Sequence, residues 1–254
     1  MRIDLNADVG ESLGAWALGE DESLMPLITS ANIAAGFHAG DPVTLERTVA
    51  LAVRHHVAIG AHPGYPDLAG FGRREMDLTP AEVEAAVLYQ VAAVAGFARA
   101  AGSDLRHVKA HGALYNRGAR DPSIAAAIAR GVARYSRDLI LVGLAGSALI
   151  AAGTDAGLRT AAEAFADRAY AADGSLRARR LAGAVLDDPA AAAAQAVAIA
   201  REGSVDTHDG ARLPVHADTI CVHGDLPGAV ARARARAVRA ALEAAGVDLL
   251  PLGA

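Results

Sequence analysis

Asp4-Leu-Asn-Ala-Asp-Val-Gly-Glu11 is the stretch that decides the fold. Side chains along an extended strand alternate between two faces, so Asp4, Asn6 and Asp8 share one face while Ile3, Leu5 and Ala7 share the other. The same polar row returns down the chain. Residues 30–38 set Asn32, Gly36 and His38 against Ile33, Ala35 and Phe37, and residues 57–62 set Ala58, Gly60 and His62 against Val57, Ile59 and Ala61. Residues 106–111 set His107, Lys109 and His111 against Val108 and Ala110, and residues 218–223 set Thr219, Cys221 and His223 against Ile220 and Val222. Residues 159–167 add Glu163 and Asp167, whereas 139–143 brings no polar group.

These runs predict strands near 2–7, 30–37, 57–61, 106–110, 139–143, 159–165 and 218–222, separated by helical stretches. Such alternation gives a parallel α/β sheet with crossover helices, and a chain of 254 residues fits a single β/α-barrel domain over 1–254. Strands of a parallel barrel are buried on both faces, so a polar row along them is costly unless its members are paired or used. Asp8, His38, His62, His111 and His223 fall at the carboxyl ends of their strands, which a closed barrel gathers at one mouth.

Helix starts are equally plain. Asp41-Pro42, Thr79-Pro80, Asp121-Pro122 and Asp188-Pro189 each place a capping oxygen before a proline at the first helical position, and Thr79 with Glu82 forms a capping box. Alanine-rich helices are predicted over about 80–101, 190–200 and 227–245. Two irregular segments, 64–78 and 166–187, are long for a compact domain, and loops of that kind usually have a functional role.

Composition narrows the function. Hydrophobic residues make up 53% and charged residues 21%, enough to bury a core, and the net charge of −5 offers no basic footprint for nucleic acid. The longest apolar stretch, 139–153, falls short of the roughly 20 residues that span a bilayer, so no membrane role is expected. Residues 1–8 hold one basic residue and two aspartates rather than a secretory signal. Cys221 is the only cysteine, and a cytoplasmic location is expected. The chain carries no phosphate loop, dinucleotide fingerprint or nucleophile elbow.

Assembled in order, six strings resemble the LamB/YcsF family. They are Asp4 to Glu11, Ser30-Ala-Asn-Ile-Ala-Ala-Gly-Phe-His-Ala-Gly-Asp41, Gly60-Ala-His-Pro-Gly-Tyr-Pro-Asp67 continuing to Gly70-Phe-Gly-Arg-Arg74, Val108-Lys-Ala-His-Gly-Ala-Leu-Tyr-Asn116, Glu163-Ala-Phe-Ala-Asp-Arg168 and Cys221-Val-His-Gly-Asp225. The resemblance implies an incomplete, about seven-stranded TIM-like barrel similar to that of polysaccharide deacetylases. It implies the A subunit of a bacterial 5-oxoprolinase, which opens the cyclic amide 5-oxo-L-proline to L-glutamate with hydrolysis of ATP as co-substrate, alongside partner subunits B and C. Ala35 stands where the family pattern leads one to expect cysteine, and Ala110 where it leads one to expect proline. The first departure argues against a thiol nucleophile at that position.

On this reading the catalytic set is Asp8, His38, His62, Lys109, His111, Glu163 and His223, and the substrate-binding set is Asn6, Glu11, Asn32, Arg73, Arg74 and Asp225. Asp8 or His62 would be the general base for water, and a neighbouring histidine would protonate the departing nitrogen. Lys109 would stabilise the oxyanion, unless it merely neutralises Glu163, and Arg73 or Arg74 would grip the substrate carboxylate. Two alternatives stand beside it. One is a metal-dependent amide hydrolase or deacetylase acting on another lactam or an acylated sugar, with Asp8, His62 and His111 holding a divalent ion. The other is a non-catalytic subunit that binds the substrate.

Overall fold

Alternation of buried apolar and buried polar side chains on one strand shapes the centre of the molecule. The computed structural model describes residues 1–223 and 228–254. In chain order its elements are β1 (Arg2–Val9), α1 (Asp21–Leu24), β2 (Ser30–Ala34), α2 (Pro42–Arg54), β3 (Ala58–His62), α3 (Pro80–Ala100), β4 (Leu105–Lys109), α4 (Gly112–Arg120) and α5 (Pro122–Tyr135). They continue with β5 (Ile140–Leu144), α6 (Ala148–Asp155), β6 (Arg159–Phe165), α7 (Pro189–Glu202), β7 (Ser204–Asp206), β8 (Arg212–Pro214), β9 (Thr219–Cys221), α8 (Gly228–Ala244) and β10 (Asp248–Leu249).

Seven parallel strands run in the order β1, β2, β3, β4, β5, β6, β9, and β9 pairs back onto β1. The ring is therefore closed by hydrogen bonds while holding one strand fewer than the eight of a TIM barrel. β10 extends the outer edge of β1, and β7 with β8 forms a separate antiparallel pair that the alternation pattern did not predict. The predicted strand over 30–37 ends at Ala34. Residues beyond it turn through Gly36 and Gly40, both with positive φ, so His38 reaches the mouth from a turn and not from the strand face.

All four predicted proline-led helices begin where expected. Asp41, Asp121 and Asp188 accept backbone N–H groups of their first turns, and Thr79 and Glu82 complete a capping box. Ile3, Leu5, Ala7, Ile33, Ile59 and Val108 of the strands share one core with apolar side chains of the helices, and α2 and α3 pack directly on β2, β3 and β4. α3 has the length and composition to cross a membrane, yet Val83, Val87, Val91 and Val94 lie buried in the core. α3 packs mainly against α5.

Register puts Asp8, Asn32, Gly60 and His107 side by side across β1 to β4. A Cβ on Gly60 would sit 2.0 Å from Nε2 of His107, so this strand-interior glycine makes room for the imidazole. At the same time Ile140, Val142, Ala161 and Leu252 form a small apolar cluster of their own.

Candidate active site

The polar rows point into the barrel and bond to one another. Asp4 accepts the hydroxyls of Thr29, Ser30 and Thr219. One layer up, Asn6 donates to Glu163 at 3.0 Å and to Thr219 at 2.6 Å, while Asn32 donates to Asn6 at 2.8 Å and to Asp8 at 2.9 Å. Nε2 of His107 lies 2.8 Å from Oδ1 of Asn32, an oxygen that only accepts, so this nitrogen carries the proton. Burial pushes His107 down to about 3, keeping it neutral. The network thus satisfies most of the polar atoms that the alternation buries.

Lys109 crowns this network. Its Nζ reaches Glu163 at 2.8 Å, Asp8 at 3.0 Å, Asn6 at 3.2 Å and Sγ of Cys221 at 3.1 Å. Burial alone would pull the ammonium pKa down, but the carboxylates of Asp8 and Glu163 hold it well above the ordinary lysine value. Burial would likewise raise Asp8, yet the neighbouring His62 and Lys109 keep its carboxyl well below the usual range. Burial pushes the Cys221 thiol up, which removes it as a nucleophile.

Above Lys109 the histidines converge. His62 ends β3 and His111 stands just before the first turn of α4, with Nε2 of the first 3.0 Å from Nδ1 of the second. Asp8 lies 3.3 Å from that Nε2 of His62. Glu11 lies 3.3 Å from Nε2 of His38 and 3.6 Å from Nδ1 of His111. The His38 ring stacks on His111 with centroids 3.7 Å apart and planes 4° from parallel. Phe71, at φ +54°, and Gly72 turn the 64–78 loop back over them, and the Phe71 carbonyl accepts from His111 at 2.8 Å.

His223 follows β9 on the other side of the mouth. Its Nδ1 lies 2.8 Å from Asp167, whose second oxygen accepts from Arg234 of α8 at 2.7 Å. Burial favours a neutral Asp167, but His223 and Arg234 hold its carboxyl far below the usual range. With Nδ1 occupied, Nε2 is the ring nitrogen that His223 has for proton exchange.

A cavity of about 750 Å³ opens over these groups, lined by Asp8, Glu11, His62, Lys109, His111 and His223. Its wall is rich in arginine: Arg73, Arg120, Arg168, Arg177, Arg179 and Arg180 border it, most of them carried by the two long loops, beside Asp173 and Glu75, the latter paired with Arg120. Arg168 is buried and fixed by donation to the carbonyls of Ala184 and Arg177. Burial and the neighbouring charge of Arg179 push its pKa down to about 10, the mark of cations crowded around one space.

The expected residues therefore divide. Asn6, Asn32 and Glu163 are nearly inaccessible and lie beneath the cavity, so they brace Asp8 and Lys109 instead of meeting a ligand. His38 is also fully buried, behind Glu11 and His111. Arg74 does not border the cavity. Its guanidinium is spent on Asp67, with Nε 3.0 Å from Oδ1, which pins the 67–74 turn and leaves Arg73 as the arginine of that pair at the cavity. Asp225 lies outside the described residues. Arg168, Arg177, Arg179 and Arg234 were not expected at the site, because loop and helix arginines carry no periodic signal. Asp167 stood in the polar row beside Glu163, but its role as the anchor of His223 appears only in three dimensions.

Known proteins resemble this chain over its whole length. The profile of the LamB/YcsF family matches residues 3–254. A protein of Chloroflexus aggregans, named as the A subunit of 5-oxoprolinase, is 57% identical over 249 residues, 98% of each chain. One of the same name from Syntrophobacter fumaroxidans is 51% identical over the whole of both chains. Among solved structures, a lactam utilization protein from Thermus thermophilus superposes with a TM-score of 0.93 at 48% identity, covering 99% of this chain and 100% of that one.

Proposed function

The chain belongs to the LamB/YcsF family, and from that premise we propose that it is the A subunit of an ATP-dependent 5-oxoprolinase working in the cytoplasm as one barrel domain. Its substrate is 5-oxo-L-proline or a close lactam, its partners are subunits B and C, and ATP is the co-substrate of the assembled complex. The single observation that carries this reading is identity above 50% over essentially full length with proteins of that name.

The site suits the chemistry. A five-membered lactam is a poor electrophile, and transfer of the γ-phosphoryl group of ATP to its carbonyl oxygen, assigned to the partners, activates the ring carbon. Water then adds to that carbon, the C–N bond breaks as nitrogen takes a proton, and a second water releases phosphate from the resulting acyl phosphate to give glutamate.

In this scheme Asp8 orients the attacking water, and His223, held by Asp167, gives its Nε2 proton to nitrogen. Lys109 offsets the negative charge that develops on oxygen. Arg73, Arg168 and Arg179 take the carboxylate and phosphoryl groups. The excess of arginine over acidic residues along this wall is why an anionic ligand is preferred to a neutral acylated sugar.

The test is release of glutamate from 5-oxoproline, with and without ATP, by the chain alone and after mixing with partners B and C. ATP-dependent release by the mixture alone is the expected result. Full turnover by the isolated chain would overturn the division of labour, and no turnover in a demonstrably assembled mixture would overturn the substrate.

A further inference from the structure

Two histidines in the mouth have their protons assigned by carbonyl groups. Nδ1 of His62 lies 2.7 Å from the carbonyl oxygen of Lys109, and Nε2 of His111 lies 2.8 Å from the carbonyl oxygen of Phe71. A carbonyl only accepts, so each of these nitrogens carries the hydrogen, and each neutral ring presents its other nitrogen bare. Those bare nitrogens, Nε2 of His62 and Nδ1 of His111, face each other at 3.0 Å. Two lone pairs aimed together in a buried site repel unless a cation sits between them or beside them. The carboxylates of Glu11, 3.6 Å from His111, and of Asp8, 3.3 Å from His62, border the same spot.

We propose that His62, His111 and Glu11 bind a divalent transition metal ion of the zinc class, with its remaining position open toward Asp8 and the cavity. The spacing fits. With metal–nitrogen bonds of about 2.0–2.1 Å, tetrahedral ligand atoms stand about 3.3 Å apart. Here they stand 3.0 and 3.6 Å apart, and the ligand atoms of Glu11, His38, His62 and His111 all fall within 4.8 Å of one another.

His38 serves differently. Its ring is parallel to His111 at 3.7 Å, so an ion in the plane of His111 lies out of the plane of His38, and His38 acts by bonding Glu11 at 3.3 Å. Two imidazoles fixed by carbonyls, with one carboxylate, favour zinc, cobalt, nickel or iron over magnesium or calcium. The second cluster, Asp8, Cys221 and His223, holds a single imidazole, and burial pushes the Cys221 thiol up.

Metal binding stands on this geometry alone. Its place in lactam opening, lowering the pKa of the water that Asp8 orients, rests on the function proposed above. The test uses the full chain stripped by chelator, titrated calorimetrically with Zn²⁺ and assayed for metal after dialysis. Uptake near one ion per chain is expected, together with a tetrahedral ligand-field band on loading with Co²⁺. His62→Ala and His111→Ala should each lose the ion, and His223→Ala should keep it.

Absence of uptake and of the Co²⁺ band in the folded parent chain would overturn the proposal and assign the gap to a shared proton. Undiminished uptake by both folded histidine variants would overturn the ligand set. Because the parent chain is read by stoichiometry and spectrum, the test is independent of whether a variant unfolds and of whether glutamate is released.

Discussion

Nζ of Lys109 and Oε1 of Glu163 meet 2.8 Å apart in the interior of the barrel, with Asp8 on the opposite side of the same ammonium. One cation thus compensates two buried carboxylates, and only Asp8 of the three faces the cavity with Lys109. Lys109→Met strands both carboxylates. Breaking a buried pair by removing one partner costs about 3–5 kcal/mol, so a marked fall in unfolding free energy is expected by urea denaturation. In the assembled complex kcat should fall by about 10²–10³ with the loss of the charge that meets the oxyanion. A variant of parental stability and turnover would remove Lys109 from both roles.

Asp167 acts through His223. His223→Ala should lower kcat by about 10²–10⁴, the usual range for loss of a general acid. Asp167→Asn leaves Arg234 a neutral partner but removes the carboxylate that accepts from Nδ1 of His223, so kcat should fall while KM for 5-oxoproline changes little. An unchanged kcat in Asp167→Asn would show that the pair is only structural.

The two adjacent arginines should behave differently. Arg73 lines the cavity, whereas Arg74 is paired with Asp67 and its side chain is 67% exposed. Steady-state kinetics of Arg73→Ala should show KM for 5-oxoproline raised by about tenfold or more, the value of a lost charge-assisted bond. Arg74→Ala should change it only slightly. Reversed effects would show that the loop turns Arg74 inward when substrate binds.

Asp4 makes stability depend on pH. Burial raises its carboxyl from 3.8 to about 6, against the hydroxyls of Ser30, Thr219 and Thr29, which lower it. Between the unfolded and folded values the native state holds the extra proton. The contribution is therefore complete below about pH 4 and is lost as pH rises through about 6. A shift of about two pK units corresponds to roughly 3 kcal/mol. Asp4→Asn removes this slope, so its stability relative to the parent should rise between pH 4.5 and about pH 7.5 in denaturant titrations. Parallel curves for the two proteins would refute the assignment.

Gly60→Ala tests the packing of the polar layer. The added methyl group meets the His107 ring, and the ring must leave Asn32 or push the strands apart. Overpacking of this kind costs about 1–3 kcal/mol, visible as a lowered melting temperature. An unchanged melting temperature would show that the ring has room to move.

Much of this was legible in the chain. Strand positions followed from a period of two, and four helix starts followed from an aspartate or threonine before proline, because both signals depend only on neighbouring residues. The β7 and β8 pair gave no such signal, since each of its strands is three residues long. His38 was assigned to a strand face because Asn32, Gly36 and His38 keep the alternation, yet Gly36 and Gly40 turn the chain around it. The division of Arg73 from Arg74 was out of reach, because it depends on where Asp67 stands after the loop has closed.

By itself the sequence determined that polar rows would enter a parallel barrel and that Asp8, His62, His111 and His223 would share a mouth, since strand direction and alternation follow from local geometry. Tertiary structure decided which nitrogen of each histidine is bare. That choice belongs to the carbonyls of Lys109 and Phe71, 47 and 40 positions away from His62 and His111, whose direction is fixed only once the barrel and its covering loop have closed.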